Sequence, residues 1–177
     1  GYTKEQMAAS GLFVQLENGN FMDRFYSRVM FPIQDEHGRI IAFSGRYLPT
    51  DNEADDKRQP KYLNSPEGEI FNKREVLFNL HRAKGTMRKN QEAYLFEGFM
   101  DVIAAYKSGI PNGLASMGTS LTEQQIRRID KLVHQVVLCY DGDQAGQDAI
   151  YRAISLFEEQ SQLKMSIVSL PERLDPD

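Results

Sequence analysis

The second half of the chain alternates between short apolar runs and longer segments with helical spacing. This pattern predicts strands at residues 93–96, 113–116, 136–140 and 165–170, and helices at residues 100–107, 122–132 and 145–159. Strands and helices that alternate in this way form βαβ units, whose strands are parallel and whose helices cover both faces of the sheet. We therefore predict an α/β fold with a mostly parallel sheet for residues 91–177.

The first half follows a different pattern and is predicted to form a smaller mixed α+β subdomain over residues 1–90. Thr3 and Gln6 form a capping-box pattern, which predicts a short helix that begins after Thr3. The elements predicted after it are a β-hairpin with strands at 29–33 and 39–44, a charged surface loop at 49–60, an extended stretch at 60–66 and helix from about 73 to 89.

The composition excludes several kinds of site. The single cysteine has no partner for an internal disulfide, and one cysteine with three scattered histidines excludes a zinc site of the cysteine-cluster type. No stretch approaches the roughly 20 apolar residues of a membrane span, and we expect no secretion leader. The expectation is a cytoplasmic protein with no zinc in this part and no membrane partner.

Acidic residues follow three of the four predicted strands. They are Glu97 after the first strand, with Asp101 four residues later, Asp141 and Asp143 after the third strand, and Asp175 and Asp177 after the fourth. The carboxyl ends of parallel strands meet at one edge of a sheet, and ligands bind beyond that edge. We therefore expect these side chains to share one site.

Carboxylates that crowd together repel one another and need compensation to remain ionised. Mg²⁺ and Mn²⁺ prefer oxygen ligands, so an all-carboxylate site predicts one of these cations. Two such ions about 3.5–4 Å apart can hold the attacking and leaving oxygens of a phosphoryl transfer. A structural interpretation stays open for Asp143, as the cap of the next helix, and for Asp101, as a partner of a helix dipole.

The two halves of the chain differ in charge. The first 90 residues carry 14 Lys and Arg against 12 Asp and Glu, whereas the remaining residues carry 7 against 13. Arg side chains match pairs of phosphate oxygens and Lys supplies a point charge, so the first half offers candidates for phosphate binding. The candidates are Arg24, Arg28, Arg46, Lys61 and Lys73. Each is also compatible with an ordinary solvated surface cation.

Two of the acidic motifs resemble the toprim signature. These are Glu97-Gly98-Phe99-Met100-Asp101 and Asp141-Gly142-Asp143. The toprim module has a Rossmann-like fold and is shared by primases, topoisomerases, certain nucleases and recombination proteins. Residues 23–33, 38–46, 60–66 and 115–120 add a resemblance to the catalytic core of bacterial replicative DNA primase.

The resemblance implies an enzyme that makes short RNA primers from ribonucleoside triphosphates on single-stranded DNA. It implies catalytic roles for Glu97, Asp141 and Asp143, which would bind metal together with Asp101, Asp175 and Asp177. It also implies a nucleotide- and template-binding set made of Arg24, Arg28, Arg46, Lys61, Tyr62, Asn64 and Lys73. Such an enzyme works at the replication fork in the bacterial cytoplasm.

Members of this family carry further regions that we do not find in this sequence. We expect their zinc-binding domain to be absent here, and we expect contacts with the replicative helicase and the single-strand-binding protein to use regions outside this chain. Two other hypotheses stay open from the residues alone. One is a toprim-type nuclease or topoisomerase fragment, and the other is a non-catalytic module that binds nucleotides through a metal.

Overall fold

The computed structural model describes residues 1–49, 59–118, 120–172 and 174–177. Most of the predicted charged loop at 49–60 lies outside the described residues. The chain divides into two compact units, one formed by Gly1–Ile33 and Ile40–Phe71 and the other by Gln34–Arg39 and Asn72–Asp177. Residues 72–90 therefore belong to the same compact unit as the second half of the chain. The domain boundary between residues 90 and 91 stays a prediction.

The described residues of the first unit form one short helix and two small sheets. Helix α1 spans Lys4–Ala9 and begins with the predicted capping box, in which the Thr3 hydroxyl accepts the Gln6 N–H. The strands are β1 (Phe13–Gln15), β2 (Phe21–Asp23), β3 (Arg28–Gln34), β4 (Ile40–Tyr47) and β5 (Tyr62–Asn64). Strands β1 and β2 pair with each other, and the second sheet has the order β3-β4-β5. The predicted hairpin is therefore confirmed as β3 and β4.

The second unit is built on a parallel sheet of four strands. These are β6 (Glu92–Phe96), β7 (Gly113–Ala115), β8 (Gln135–Cys139) and β9 (Lys164–Ile167). Their order in the sheet is β7-β6-β8-β9, and every neighbouring pair is parallel. The predicted α/β fold with a smaller mixed subdomain before it is confirmed.

Helices cover both faces of this sheet. They are α2 (Leu80–Asn90), α3 (Phe99–Lys107), α4 (Glu123–Asp130) and α5 (Gln144–Gln160). Side chains alternate between the two faces along a strand. Leu95 and Leu138 accordingly join a core with residues of α2, α4 and α5, whereas Phe96 and Cys139 pack with residues of α3.

The helix expected from about residue 73 begins only at Leu80, so the prediction for residues 73–79 was wrong. The Phe78 N–H donates a 2.8 Å hydrogen bond to the carbonyl of Ala115, which ties this stretch to β7. Asn79 then adopts a left-handed φ of 69°, which no helical residue adopts. The apolar spacing arises from burial of Val76 and Leu77 beside the sheet rather than from a helical turn.

No helix in the described part of the chain combines the length and the apolar character needed to cross a bilayer.

Candidate active site

Two predicted site residues meet at the carboxyl edge of the parallel sheet. Phe96 and Cys139 are partners in the register of β6 and β8, so these strands end side by side. Glu97 follows β6 directly, Asp141 lies two residues after the last residue of β8, and the two side chains are close enough for the charge of Asp141 to act on Glu97. The structure therefore brings Glu97 and Asp141 together, as the sequence predicted.

The other predicted acids lie close enough to act on these two electrostatically. Burial raises the pKa of Glu97, and the charges of Asp141, Asp143 and Asp101 raise it further. Burial also raises the pKa of Asp101 to about 6, with added repulsion from Asp141, Asp177 and Asp175. The pKa of Asp141 is raised by burial and then by Asp175, Asp143 and Asp177. All six acids thus form one electrostatic cluster.

Two of these acids also have structural roles. The Gly98 N–H donates a 3.0 Å hydrogen bond to Oδ2 of Asp101 at the start of α3. The Gly146 N–H donates a 2.8 Å hydrogen bond to Oδ1 of Asp143, which is the N-cap of α5. The structural interpretation is confirmed for Asp143, and Asp101 lies in the first turn of α3, where its charge complements the positive end of the helix dipole. Each bond uses one carboxylate oxygen, so the second oxygen of each residue keeps its acceptor capacity.

A close backbone contact brings the last acidic segment to the site. The Gly142 N–H donates a 2.9 Å hydrogen bond to the carbonyl of Leu174, the residue before Asp175. A Cβ atom at Gly142 would collide with the carbonyl oxygen of Pro171. Only glycine permits this approach, which places Asp175 and Asp177 near Asp141.

The cluster has the donor chemistry of a site for a hard divalent cation. Oε1 of Glu97 is buried and has no hydrogen-bond partner among the described residues, so it is an acceptor in need of a partner. No three acidic, histidine or cysteine side chains in the described part of the chain converge in the spacing that would hold an ion by themselves. Mg²⁺ keeps several of its waters and needs only one or two carboxylates, so the residues fit such an ion.

A cavity of about 330 Å³ adjoins Glu97, and the sequence did not reveal it. Its polar lining consists of Glu97, Ser116, Ser120, Tyr140 and Arg152. Burial raises the pKa of the Tyr140 hydroxyl, the charge of Glu97 adds to that rise, and the charge of Arg152 opposes it. The spacing of Ala149, Arg152 and Ala153 places them on one face of α5, but nothing in the sequence marks that face as a cavity wall.

Arg28, a predicted nucleotide-binding residue of the first unit, is bonded to its own unit. Its Nη1 donates to the carbonyls of Gly45 at 3.1 Å and Pro60 at 2.8 Å, and its Nη2 donates to the side chain of Gln59 at 3.2 Å. Its guanidinium also lies 5.4 Å from the centre of the Tyr47 ring. Burial lowers the pKa of Arg28. The side chain therefore braces β4 against the segment before β5.

The other predicted residues of the first unit gather around β5. Arg46 and Lys61 lie 5.7 and 5.8 Å from the centre of the Tyr62 ring. Arg24 donates to the carbonyl of Asn64 at 3.4 Å, and its Nε is buried without a partner among the described residues. The structure thus brings Arg46, Lys61 and Tyr62 together on one surface.

Lys73, the remaining predicted residue, belongs to the second unit. It lies in a turn at the start of the segment Asn72–Asp177. Its backbone carbonyl accepts a hydrogen bond from the side chain of Gln125.

Two family descriptions match the chain over adjoining stretches. Residues 1–84 match the N-terminal domain of the DNA primase catalytic core. Residues 94–177 match the toprim-like family, whose members use divalent metals. Both matches agree with the resemblance seen in the sequence motifs.

Individual relatives point to the same family. The DNA primase of Enterococcus faecalis is 60% identical over 95% of this chain and 27% of its own length. A crystal structure of the zinc-binding and RNA polymerase domains of Aquifex aeolicus primase is 36% identical, with a TM-score of 0.87 over 97% of this chain and 41% of that one. A primase catalytic domain bound to single-stranded DNA is 38% identical, with a TM-score of 0.85 over 98% of this chain and 55% of that one.

The chain spans about a quarter of the length of the curated relatives that it matches. Within that length, the two family matches, the sheet order and the acidic cluster all indicate a primase catalytic core. The chain belongs to the bacterial DNA primase family and matches its catalytic core.

Proposed function

We propose that this chain is the catalytic part of a primase, a DNA-directed RNA polymerase that joins ribonucleoside triphosphates into short RNA primers on single-stranded DNA. The observation that carries the proposal is that Glu97 and Asp141 follow the paired ends of β6 and β8, at the sheet edge where the charges of six acids act on one another. A relative with the same fold binds single-stranded DNA, which supports this template. The hypotheses of a nuclease or topoisomerase fragment and of a non-catalytic module gain no support from the relatives.

The proposed cofactor is Mg²⁺ or Mn²⁺, with Glu97, Asp141 and Asp143 as candidate ligands, of which one or two would bind the ion together with water. Asp101, Asp175 and Asp177 complete the negative site around them. When bound, divalent ions would supply the positive charge that lowers the barrier to nucleotidyl transfer and stabilises the pyrophosphate that leaves. Phosphoryl transfer depends on positioning and charge rather than on a covalent nucleophile, which agrees with a site made of carboxylates and backbone amides.

The chain's own contribution is to hold these carboxylates in place before substrate arrives. The Gly98 N–H fixes Asp101, and the Gly146 N–H fixes Asp143. The Gly142 contact with Leu174 holds the last acidic segment. A carboxylate held by a backbone amide loses little conformational freedom when an ion binds, so less of the binding energy is spent on ordering it.

The proposed nucleotide- and template-binding residues are Arg24, Arg28, Arg46, Lys61, Tyr62 and Asn64 in the first unit and Lys73 in the second, and Arg28 also braces β4. Arg46 and Lys61 can bind phosphates, and the Tyr62 ring beside them can stack on a base. These residues would contact the triphosphate, the template or the RNA primer.

The wider setting of the protein is proposed on the same basis. We place it in the bacterial cytoplasm at the replication fork, where it would meet the replicative helicase and the single-strand-binding protein through regions outside this chain. Within the chain, we assign residues 1–90 to the side that binds nucleotide and template and residues 91–177 to the metal-binding catalytic domain.

Primer synthesis tests the proposal directly. A primase that contains this chain is incubated with single-stranded DNA, labelled ribonucleotides and Mg²⁺ or Mn²⁺, and labelled RNA is measured. We expect primers from the unchanged protein and none from the Asp141→Ala variant, with Asp130→Asn, at the exposed end of α4, as the matched control. Primers from Asp141→Ala would remove Asp141 from the mechanism, and cleavage of labelled DNA in place of synthesis would support a nuclease.

A further inference from the structure

Gln125 is a fully buried polar side chain that the acidic site does not use. It lies in the first turn of α4 with 0% of its surface exposed. Its Oε1 accepts the Thr122 N–H at 3.1 Å, which completes the capping box that the sequence predicted. Capping alone needs only this oxygen, and an exposed side chain would serve. The burial of the whole amide calls for a second role.

That role is visible at the other end of the amide. Nε2 of Gln125 donates to the carbonyl of Lys73 at 3.1 Å and to the carbonyl of Val76 at 2.8 Å. The Thr122 hydroxyl donates to the carbonyl of Arg74 at 2.5 Å. Three carbonyl groups of one short segment are therefore bound by the first turn of a helix that lies about 50 residues away in the sequence.

The amide groups of the same segment are bound from its other side. Oδ1 of Asn72 accepts the Arg74 N–H at 3.0 Å, and the Asn72 carbonyl accepts the N–H groups of Glu75 at 3.0 Å and Val76 at 3.2 Å. Residues 72–76 thus form a turn whose backbone is bonded on both sides. Lys73 is inside this turn.

We propose that Gln125 is a positioning residue for Lys73 and sets the place from which this cation meets the phosphates of the nucleic acid. This inference rests on the proposed function, because Lys73 belongs to the predicted nucleotide- and template-binding set. A Lys side chain is a flexible four-carbon stem, so the position of its backbone sets the region that its charge can reach. Without the Gln125 amide, the carbonyls of Lys73 and Val76 lose this partner, and the cost of leaving them unpaired favours a shift of the turn and of Lys73 with it.

Salt dependence of DNA binding separates this role from a structural one. Binding of the chain to a fluorescently labelled single-stranded oligonucleotide is measured by anisotropy over a series of salt concentrations. Each phosphate contact to single-stranded nucleic acid contributes about 0.7 to the slope of log K against log salt. The slope is negative, and we expect Lys73→Ala to reduce its magnitude by about 0.7. Gln125→Leu should reduce the magnitude by about the same amount. The double variant should reduce it no further than Lys73→Ala alone.

Two further variants keep the test decisive. Thr122→Ser keeps the hydroxyl that caps α4 and binds Arg74, so it should keep the wild-type slope. Gln125→Asn keeps the amide but is one methylene too short to reach both carbonyls, and it replaces Gln125→Leu if that variant does not fold. A wild-type slope in a folded Gln125 variant, alongside a lowered slope in Lys73→Ala, would overturn the inference alone. A wild-type slope in Lys73→Ala itself would overturn the role of Lys73 and the inference with it.

Discussion

The backbone N–H of Gly142 donates a 2.9 Å hydrogen bond to the carbonyl oxygen of Leu174. This bond joins the loop that carries Asp141 and Asp143 to the segment that carries Asp175 and Asp177. These acids come from sequence positions more than 30 residues apart, and the pairing of β8 with β9 together with this backbone contact brings them close. The acidic cluster therefore depends on a glycine that has no functional group of its own.

Replacement of Gly142 by Ala should separate these two segments. The added Cβ would meet the Pro171 carbonyl oxygen inside contact distance, and Leu174 would have to move with it. We expect a loss of about 1–3 kcal/mol in the free energy of unfolding and weaker Mn²⁺ binding, measured by chemical denaturation and by titration calorimetry.

Gly85→Ala is the matched control for that substitution. Gly85 lies inside α2, and a Cβ there would meet nothing within 4 Å. It should leave Mn²⁺ binding unchanged and raise the free energy of unfolding by about 0.5–1 kcal/mol, because Ala is the better helix former. Equal Mn²⁺ affinity in Gly142→Ala and Gly85→Ala would show that the contact with Leu174 does not shape the site.

The raised pKa values predict how stability depends on pH when no metal is bound. The folded chain holds protons on Glu97, Asp101 and Asp141 more tightly than the unfolded chain does, with the pKa of Asp101 at about 6. The resulting stabilisation is complete below pH 4 and is lost as the pH rises through about 6. The free energy of unfolding of the metal-free protein should therefore fall between pH 4.5 and 7. A rise over this range would contradict the crowding of these acids.

Divalent ions should reverse this loss. Addition of Mg²⁺ or Mn²⁺ should raise the melting temperature at pH 7 and raise it much less at pH 5, where protonated carboxyl groups compete with the ion. Melting curves at the two pH values, with and without the ion, measure both effects. Equal stabilisation at pH 5 and pH 7 would place the bound ion outside the acidic cluster.

Asp101→Asn should separate the structural role of this residue from its charge. The Asn side chain keeps an oxygen that can accept the Gly98 N–H, but it removes one negative charge from the cluster. We expect the metal-free variant to melt at a higher temperature than the wild type at pH 7 and to gain less from Mg²⁺. Asp101→Ala, which loses both oxygens, should instead lower the melting temperature, and the opposite order of these two variants would refute the assignment.

Arg28→Lys tests whether Arg28 braces the first unit. Lysine has the charge but not the planar fork that reaches the carbonyls of Gly45 and Pro60 together. We expect a loss of about 1–2 kcal/mol in the free energy of unfolding, since a hydrogen bond to a charged group contributes about 1.5–3 kcal/mol. Arg46→Lys keeps a cation beside Tyr62 and should change stability little. Equal stability of the two variants would contradict the bracing role.

The parallel sheet could be predicted from the sequence because the features that indicate it, apolar strands and capped helices, are local. The apolar runs of β6 and β8 are buried on both faces, so they stand out without any alternation. The N-termini of α1 and α4 could also be predicted, because the capping boxes at Thr3 and Thr122 are each formed within four residues of the chain. Acids that follow parallel strands meet at one edge as a consequence of the fold, which is why Glu97 and Asp141 could be paired in advance.

The features that the sequence did not predict depend on contacts between distant residues. The stretch before α2 has helical spacing, but the bond from Phe78 to Ala115 draws it toward the sheet instead. Arg28 has the same chemistry as Arg46, and only the folded chain shows that one is bonded to carbonyls and the other lies beside a tyrosine. The second role of Gln125 is hidden for the same reason, since its partners lie 49 and 52 residues away.

Crystals soaked in Mn²⁺ provide the most direct test of the acidic site, because the anomalous signal of manganese locates the ion independently of any assay. We expect an anomalous peak at the carboxyl edge of the sheet, about 2.0–2.3 Å from carboxylate oxygens of Glu97 and of Asp141 or Asp143. Strong manganese peaks elsewhere, with none within reach of Glu97 and Asp141, would contradict it.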